Sequence, residues 1–420
     1  MIYDRAKEIE TKEKMGDVLK MRKLMVLLFC AAAILTISGS GSVPAFGAAG
    51  SMPFSAVSEG QGIGEPDDLS KLDIKISRAE FMKSVLSSFG TEPDQASVEA
   101  GLDLDYVQSA LKGNLYQESD FGNTDSSWKQ PITRKEAARI AARAVGERTE
   151  DDAKWFYLAA KKGLMTGLGQ GRLGEQEAVT RSQAVTMVER IRKVRQGVSL
   201  PVDKYAVSSA ELAWHGTNIF TVMPEVFVAS EEQLKGRPVE ELWRKDQMVV
   251  DPGNGKYKSE LEALIAIDLA DPHDPNLKLL PPLKEVKWDY FPSSVNGVPT
   301  KYIPVKKLPP SYFLMFKGKE IYNKDTRLYS SNSNGPNYGI FGIESPDLKA
   351  FYEKGVLNSL GSLFHKKSGD IPGYILPKKG WTQGVHSIKI RVYTPVLTNY
   401  GYSSNILLEI DGPHKKVLGD

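Results

Sequence analysis

The sequence predicts a multidomain protein of 420 residues, with an all-α first half and a β-rich, sandwich-like α+β second half. Residues 71–197 contain two prolines and three apolar runs at helical spacing. Residues 201–420 contain nineteen of the 24 prolines and several short segments that alternate apolar and polar residues. This length is ample for more than one buried core.

The charge balance and the cysteine count exclude several classes of protein. The chain has 54 Lys and Arg against 52 Asp and Glu, for a net charge of +2. We therefore expect no nucleic acid as a partner, because the chain has no excess of positive charge to bind phosphates. Cys30 is the single cysteine. Because this cysteine has no second thiol to pair with and lies in the N-terminal stretch of residues 1–49, a disulfide scaffold, a thiolate metal site and a cysteine nucleophile are excluded.

Residues 1–49 have the features of a secretory signal peptide. The apolar run Leu24–Ile37 follows Lys20, Arg22 and Lys23 and precedes small residues. Fourteen apolar residues are too few to span a bilayer comfortably, so no stable transmembrane anchor is expected. Cleavage is expected near residues 45–49, Met21 is an alternative start, and a retained N-terminal anchor is the alternative interpretation. Residues 50–70, rich in Gly, Ser, Pro and acids, are typical of a linker.

Three segments of the first half share one pattern, a Ser or Thr followed by Arg, with Glu or Gln three residues after the hydroxyl. The three arginines are 56 and 47 residues apart, and each segment opens an apolar run at helical spacing. The pattern predicts a capping box at each helix start, in which hydroxyl and carboxylate or amide groups satisfy reciprocal backbone amides. The predicted pairs are Ser77 with Glu80, Thr133 with Glu136, and Thr180 with Gln183.

Capping does not explain the arginine that follows each cap. Arg78, Arg134 and Arg181 stand at the first helical position, where a cation opposes the helix dipole at a cost of about 0.3–1 kcal/mol. Three arginines in the same place indicate a position that binds an anion, through the guanidinium and free amides of the helix start. Solvated arginines on a plain helical bundle are the alternative.

Residues 71–197 resemble S-layer homology domains, whose second helix begins with Thr-Arg-Ala-Glu and whose first helix has an early aromatic residue and a following Gly-rich turn. The third copy is most similar, with Trp155, the loop glycines Gly169 and Gly171, and then Thr180-Arg181. The first copy looks truncated, and Ser77, Lys135 and Gln183 depart from the motif.

The resemblance implies a pseudo-three-fold helical bundle whose grooves bind secondary cell-wall polysaccharide of a Gram-positive-type bacterium, often bearing pyruvate ketals. The arginines would pair with the ketal carboxylate. The candidate ligand-binding residues are therefore Arg78, Arg134, Arg181, Trp155, Gly169 and Gly171. Trp155 is alternatively a core residue, because apolar residues surround it.

The second half has fewer motifs. Residues 198–207 are predicted to be a linker and residues 208–420 a β-rich domain. Helices are expected near Pro346–Phe364 and Pro238–Gln247, and a break near Gly355 or Gly361 is the alternative for the first of them. The candidate strands are Asn218–Val222, Ala263–Leu269, Val286–Phe291, Tyr312–Phe316, Ile388–Tyr393 and Ile406–Ile410.

Polar residues of the second half form no catalytic motif, and no cofactor is expected. The segment with Asp268, Asp271, His273 and Asp274 contains potential metal ligands, but its Asp-Pro dipeptides favour turns, so no metal site is predicted. His215, His365 and His386 show no local partner pattern.

We therefore expect an exported protein of the cell wall, S-layer or cell surface, anchored non-covalently to wall polysaccharide through the helical repeats. Its second half would have a binding or structural role, and a non-enzyme is favoured. The alternative is a wall-anchored carbohydrate-active hydrolase with its active site in residues 205–420, which requires two carboxylates about 5–10 Å apart. A structural or assembly protein of the envelope is a third interpretation.

Overall fold

The computed structural model describes residues 73–90, 104–289, 302–330, 335–396 and 399–413. All of these residues belong to one compact unit of the chain. The expected signal peptide, the linker at 50–70 and Cys30 lie outside the described residues. In the described part of the chain, no helix combines the length and the apolar character needed to cross a membrane.

Helices precede sheets along the chain, and the predicted combination of helix and sheet is confirmed. The helices of the first part share one hydrophobic core, which includes Phe81, Ile140, Trp155 and Ile191. Their bounds are α1 (Arg78–Ser87), α2 (Leu104–Lys112), α3 (Asp125–Trp128), α4 (Arg134–Ala144), α5 (Trp155–Lys161) and α6 (Arg181–Arg195).

A further helix, α7 (Lys204–His215), completes this core from outside the repeats. Its N-cap is Asp203, whose carboxylate accepts hydrogen bonds from the Tyr205 and Ala206 amides, both at 3.1 Å. It ends at Gly216, whose φ of 75° is the left-handed conformation that favours glycine. Ala206, Ala210 and Trp214 are buried in the helical core. Residues 204–207, the end of the expected linker, form its first turn.

Two antiparallel sheets form most of the second part. The larger has the strand order β1-β2-β5-β8-β7-β3-β4 and the smaller has the order β10-β9-β6. The strands are β1 (Val249–Val250), β2 (Tyr257–Asp268), β3 (Val286–Asp289), β4 (Tyr302–Pro304), β5 (Ser311–Asn323), β6 (Asn337–Phe341), β7 (Gly361–His365), β8 (Gly369–Pro377), β9 (Ile388–Tyr393) and β10 (Ser404–Ile410).

The large sheet is buried on both faces. On one face Leu264 shares a core with the small sheet, and the ring of Phe316 stacks on Tyr338 with centroids 4.1 Å apart. On the other face Ile265 joins a separate core, which is covered in part by helix α10 (Leu348–Lys354) through Phe351. A strand buried on both faces has a continuous apolar sequence, as residues 263–267 do. The small sheet and the short helix α10 therefore contact opposite faces of the large sheet.

One prediction for the second part is wrong, and another is correct only in part. Asn218–Val222 is not a strand, because Ile219–Val222 forms the short helix α8. The buried carboxylate of Glu211 accepts hydrogen bonds from the Phe220 and Thr221 amides and so holds this turn. The helix expected over Pro346–Phe364 forms in part: it breaks at Gly355, one of the two expected positions, which has a φ of 67°, and residues 361–365 form β7 instead.

The other predicted elements overlap what the structure contains. Five candidate strands coincide at least in part with β2, β3, β5, β9 and β10. The segment Pro238–Gln247 contains two 3₁₀ turns, Val239–Leu242 and Lys245–Gln247. A short helix that was not predicted, α9 (Glu231–Leu234), begins at Ser230, whose hydroxyl accepts a hydrogen bond from the Gln233 amide.

Candidate functional site at the three capped helix starts

Each of the three Ser/Thr-Arg segments begins a helix with a reciprocal capping box. The Ser77 hydroxyl accepts from the Glu80 amide at 3.2 Å, and the Glu80 carboxylate accepts from the Ser77 amide at 2.8 Å. Thr133 with Glu136 and Thr180 with Gln183 form the same pair of bonds. A glutamine at the third helical position therefore serves the cap as a glutamate does.

The residues before the caps join the three copies in a closed ring of backbone hydrogen bonds. The Ile76 amide donates to the Val179 carbonyl at 3.0 Å, Val179 donates to Ile132 at 2.9 Å, and Ile132 donates back to Ile76 at 3.0 Å. Each of these residues immediately precedes an N-cap. The three segments thus occupy equivalent positions in one cyclic arrangement.

The amide of each arginine forms a second ring around the first. Arg78 donates to the Gln130 carbonyl at 3.0 Å, and Arg134 and Arg181 donate to the Glu177 and Ile74 carbonyls at 2.8 Å. The amides at the third helical position donate to the capping side chains. The expectation of free helix-start amides is wrong for both positions. The amides of these two positions are therefore not available to an anion, which would have to be bound by other groups such as side chains.

The Arg78 guanidinium is held by the acid of the next copy. Its Nη2 and Nε donate to the two carboxylate oxygens of Glu136 at 2.7 and 3.2 Å, and its Nη1 donates to the Ser127 carbonyl at 2.9 Å. The guanidinium carbon lies 4.5 Å from the ring centre of Phe121. Only 16% of the side chain is exposed. This first arginine is therefore neutralised within the protein.

Arg181 has the same relation to Glu80, but the contact is looser. A single Nη2–Oε1 contact spans 3.4 Å, and 37% of the arginine side chain is exposed. Burial acts to raise the pKa of Glu80, but hydrogen bonds from Ser77 and the charge of Arg181 hold this pKa below its usual value. Arg181 is the most exposed of the three motif arginines.

Arg134 differs because the corresponding acid is replaced by Gln183. Its Nε donates to the Leu173 carbonyl at 2.7 Å and its Nη2 donates to the Thr166 carbonyl at 2.5 Å. The residue is 4% exposed, and this desolvation lowers the pKa of Arg134. The prediction of Arg134 as an accessible ligand-binding residue is therefore corrected: it anchors the loop that follows α5.

The other three candidate ligand residues differ in their surroundings. Trp155 is buried in the helical core, with the Arg143 guanidinium 4.8 Å from its ring centre, so it is a core residue and not an exposed sugar platform. Gly169 has a φ of 90° and open space around it. At Gly171, a methyl group would lie 2.6 Å from the Ser209 hydroxyl, because the loop packs against the second part of the chain.

A buried ion cluster beside the caps was not anticipated from the sequence. Asp120 accepts hydrogen bonds from Arg139 at 2.8 Å and from Arg143. Arg139 also bonds Asp152. The two arginines are four residues apart on α4, so they lie on one helix face. The sequence could show that the two arginines share a helix face, but it could not show that Asp120, in a preceding loop, is their partner.

The deeply buried acids described in residues 205–420 accept structural hydrogen bonds. Glu211 accepts from the Thr221 amide at 2.8 Å, and Glu240 accepts from the Tyr157 hydroxyl at 3.0 Å. Asp274 accepts from the Asp268 amide at 2.8 Å, and burial raises the pKa of Asp274. These carboxylates therefore hold turns and contacts between segments.

The Asp-rich segment after β2 is a turn. Asp271 binds Lys204 at 2.6 Å, and Asp268 binds Lys378 at 2.6 Å. Throughout the described ranges, no group of three or more His, Cys, Asp or Glu side chains is arranged to hold a metal ion.

His365 has partners that the sequence did not indicate. Its Nδ1 lies 2.7 Å from the Ser368 hydroxyl, and its Nε2 lies 3.4 Å from a carboxylate oxygen of Glu285. These partners form no recognised sequence motif, which is why the sequence showed no partner pattern around this histidine. His365 pairs with Gly369 across the β7–β8 hairpin, so the short turn places Ser368 beside the imidazole.

Comparison with models of known protein families and with curated proteins found no match. The arrangement of the three copies and the exposure of their arginines are therefore the observations from which a function is argued.

Proposed function

We propose that this chain is an exported cell-surface protein that anchors non-covalently to an acidic secondary cell-wall polysaccharide. In this proposal, residues 71–197 form an S-layer homology domain, a pseudo-three-fold helical bundle. The closed hydrogen-bond ring through Ile76, Ile132 and Val179 is the observation that carries the proposal, because it gives the three Ser/Thr-Arg segments equivalent places. The three segments are therefore similar both in sequence and in their positions in the hydrogen-bond ring.

Arg181 is the side chain that we assign to the ligand. Its exposure and its single long contact with Glu80 leave guanidinium donors available to a carboxylate in solution. A carboxylate on the glycan, such as that of a pyruvate ketal, would accept two parallel hydrogen bonds from one guanidinium. Because the site is partly exposed, binding should weaken as salt concentration rises.

The two-sheet part would be the portion that the helical part holds at the wall. Two ion pairs connect it to the helices: Glu240 binds Lys161 at 2.5 Å, and Glu241 binds Lys154 at 2.8 Å. The binding experiment should therefore use residues 50–420, since a fragment ending at residue 200 would lack the Trp214 side chain of the helical core.

The test is co-sedimentation with cell walls purified from the producing bacterium, at low and high salt. We expect Arg181→Ala to bind several-fold more weakly than the parent, with an unchanged melting temperature because the Thr180–Gln183 cap remains. Arg192→Ala is the matched control, an exposed arginine at the other end of the same helix. Thr180→Ala should instead cost about 0.5–2 kcal/mol of stability. Equal binding by Arg181→Ala and Arg192→Ala would refute the assignment.

A further inference from the structure

The acid at the third position of each capped helix has two partners in this protein. Glu136 closes its own capping box with Thr133 and also binds both donor edges of Arg78. Glu80 closes its box with Ser77 and contacts Arg181. A bidentate guanidinium–carboxylate pair uses the same donors that an external carboxylate would use. The internal acid and an acidic ligand therefore compete for one arginine.

We infer that Glu136 is an internal counter-anion that occupies the first arginine site, so that Arg78 takes a carboxylate-bearing glycan only when Glu136 is displaced or neutralised. The identity of the ligand in this inference rests on the proposed function, whereas the ion pair between Arg78 and Glu136 is a contact in the structure. On this inference, the residue at the third position of each capped helix determines how available the neighbouring arginine is to a ligand. Glu136 closes the first site, Glu80 leaves the site at Arg181 partly open, and Gln183 leaves Arg134 without a carboxylate at this position.

Gln183 shows that the two roles of this position can be separated. It closes the capping box at 3.2 Å with the Thr180 amide, as the glutamates do, but it has no charge for a neighbouring arginine. Glu136→Gln should therefore keep the cap of α4 while it frees Arg78. Arg78 would then keep one carbonyl acceptor, that of Ser127. Arg134, by comparison, is held by two loop carbonyls. We accordingly expect the freed Arg78 to become reachable from solvent.

The first experiment requires no ligand. The full mature chain is treated with phenylglyoxal, which modifies accessible guanidinium groups, and the sites are mapped by mass spectrometry. In the parent, Arg181 should react readily and Arg78 slowly. In Glu136→Gln, the reactivity of Arg78 should rise several-fold. Glu80→Gln is the matched control, since it makes the same change at the looser pair and should leave Arg78 unchanged. An unchanged Arg78 reactivity in a folded Glu136→Gln variant would overturn the inference.

The second experiment measures binding of a monosaccharide that carries a pyruvate ketal. Loss of a bidentate charged competitor should raise the affinity of Glu136→Gln by about tenfold over the parent. The gain should disappear in the double variant Arg78→Ala/Glu136→Gln. If the parent binds and Glu136→Gln binds no better, the competition is refuted while the proposed function stands. If neither protein binds but Arg78 becomes reactive, the proposed function fails and the counter-anion role is supported.

Discussion

Replacing Asp120 with alanine should destabilise the helical part more than any loss of a surface ion pair. The side chain of Asp120 is only 5% exposed, and it accepts hydrogen bonds from the buried residues Arg139 and Arg143. It also accepts from the Gln117 amide at 2.9 Å. Removing the carboxylate leaves the charge of Arg143 with only the Leu115 carbonyl at 3.3 Å among its described hydrogen-bond partners.

The expected loss in the free energy of unfolding depends on how many charges are left without a partner. Breaking a buried ion pair by removing one partner costs about 3–5 kcal/mol. Because Arg139 keeps its contact with Asp152, we expect a loss near the lower end, about 3 kcal/mol. Asp120→Asn keeps the shape and one acceptor, so it should lose about 1–3 kcal/mol. The control is Asp125→Ala, whose pair with Lys129 is largely exposed and should be worth about 0–1 kcal/mol.

The assay is equilibrium unfolding in urea, followed by tryptophan fluorescence. Trp155 reports directly, because the Arg143 guanidinium lies 4.8 Å from its ring centre. For Asp120→Ala, we expect a lower urea concentration at the midpoint of unfolding. The slope of the unfolding free energy against urea concentration should not change, which indicates a change in stability and not in the unfolded state. A loss no greater than that of Asp125→Ala would show that the cluster contributes little and would refute the reasoning.

Three further predictions concern the junction of the two parts. Trp214→Ala should cost about 3–5 kcal/mol in urea unfolding, as a large residue lost from the helical core; a loss below 1 kcal/mol would contradict this. Gly171→Ala should lower the melting temperature more than Gly169→Ala, because both have positive φ but only Gly171 is closely packed; equal shifts would show that packing is unimportant. Burial raises the pKa of Glu240, but Lys161 and other partners hold it below the usual value. The resulting stability should be present above about pH 4.3 and lost as pH falls through the lower folded pKa, and Glu240→Gln should remove this component from the pH dependence of unfolding.

The helix starts could be predicted from the sequence because their chemistry is local. A capping box joins residues only three positions apart, so the Ser77–Glu80 pattern contains every group that takes part. The clean alternation of Ile388–Tyr393 is local in the same sense, and the predicted bounds agree with those of β9.

The surroundings of the arginines could not be predicted, because their partners are distant in the chain. Arg78 binds an acid 58 residues away, and Arg181 contacts one 101 residues away. Burial of Arg134 depends on two carbonyls of a later loop. The segment Asn218–Val222 failed for a related reason, since the carboxylate that holds its turn belongs to the preceding helix. Tertiary contacts override local β-propensity in such segments.

The closed hydrogen-bond ring restricts how this helical region can change in evolution. In an open array, each repeat contacts only its neighbours, so repeats can be inserted or deleted singly. Here the Ile76 amide of the first copy donates to Val179 of the third, and the Arg181 amide returns to Ile74. A fourth copy would have no place in this circuit, and loss of one copy would leave donors and acceptors of the other two unmatched. The number of copies is therefore set by closure at three, and divergence must proceed by substitution within copies, as Gln183 illustrates.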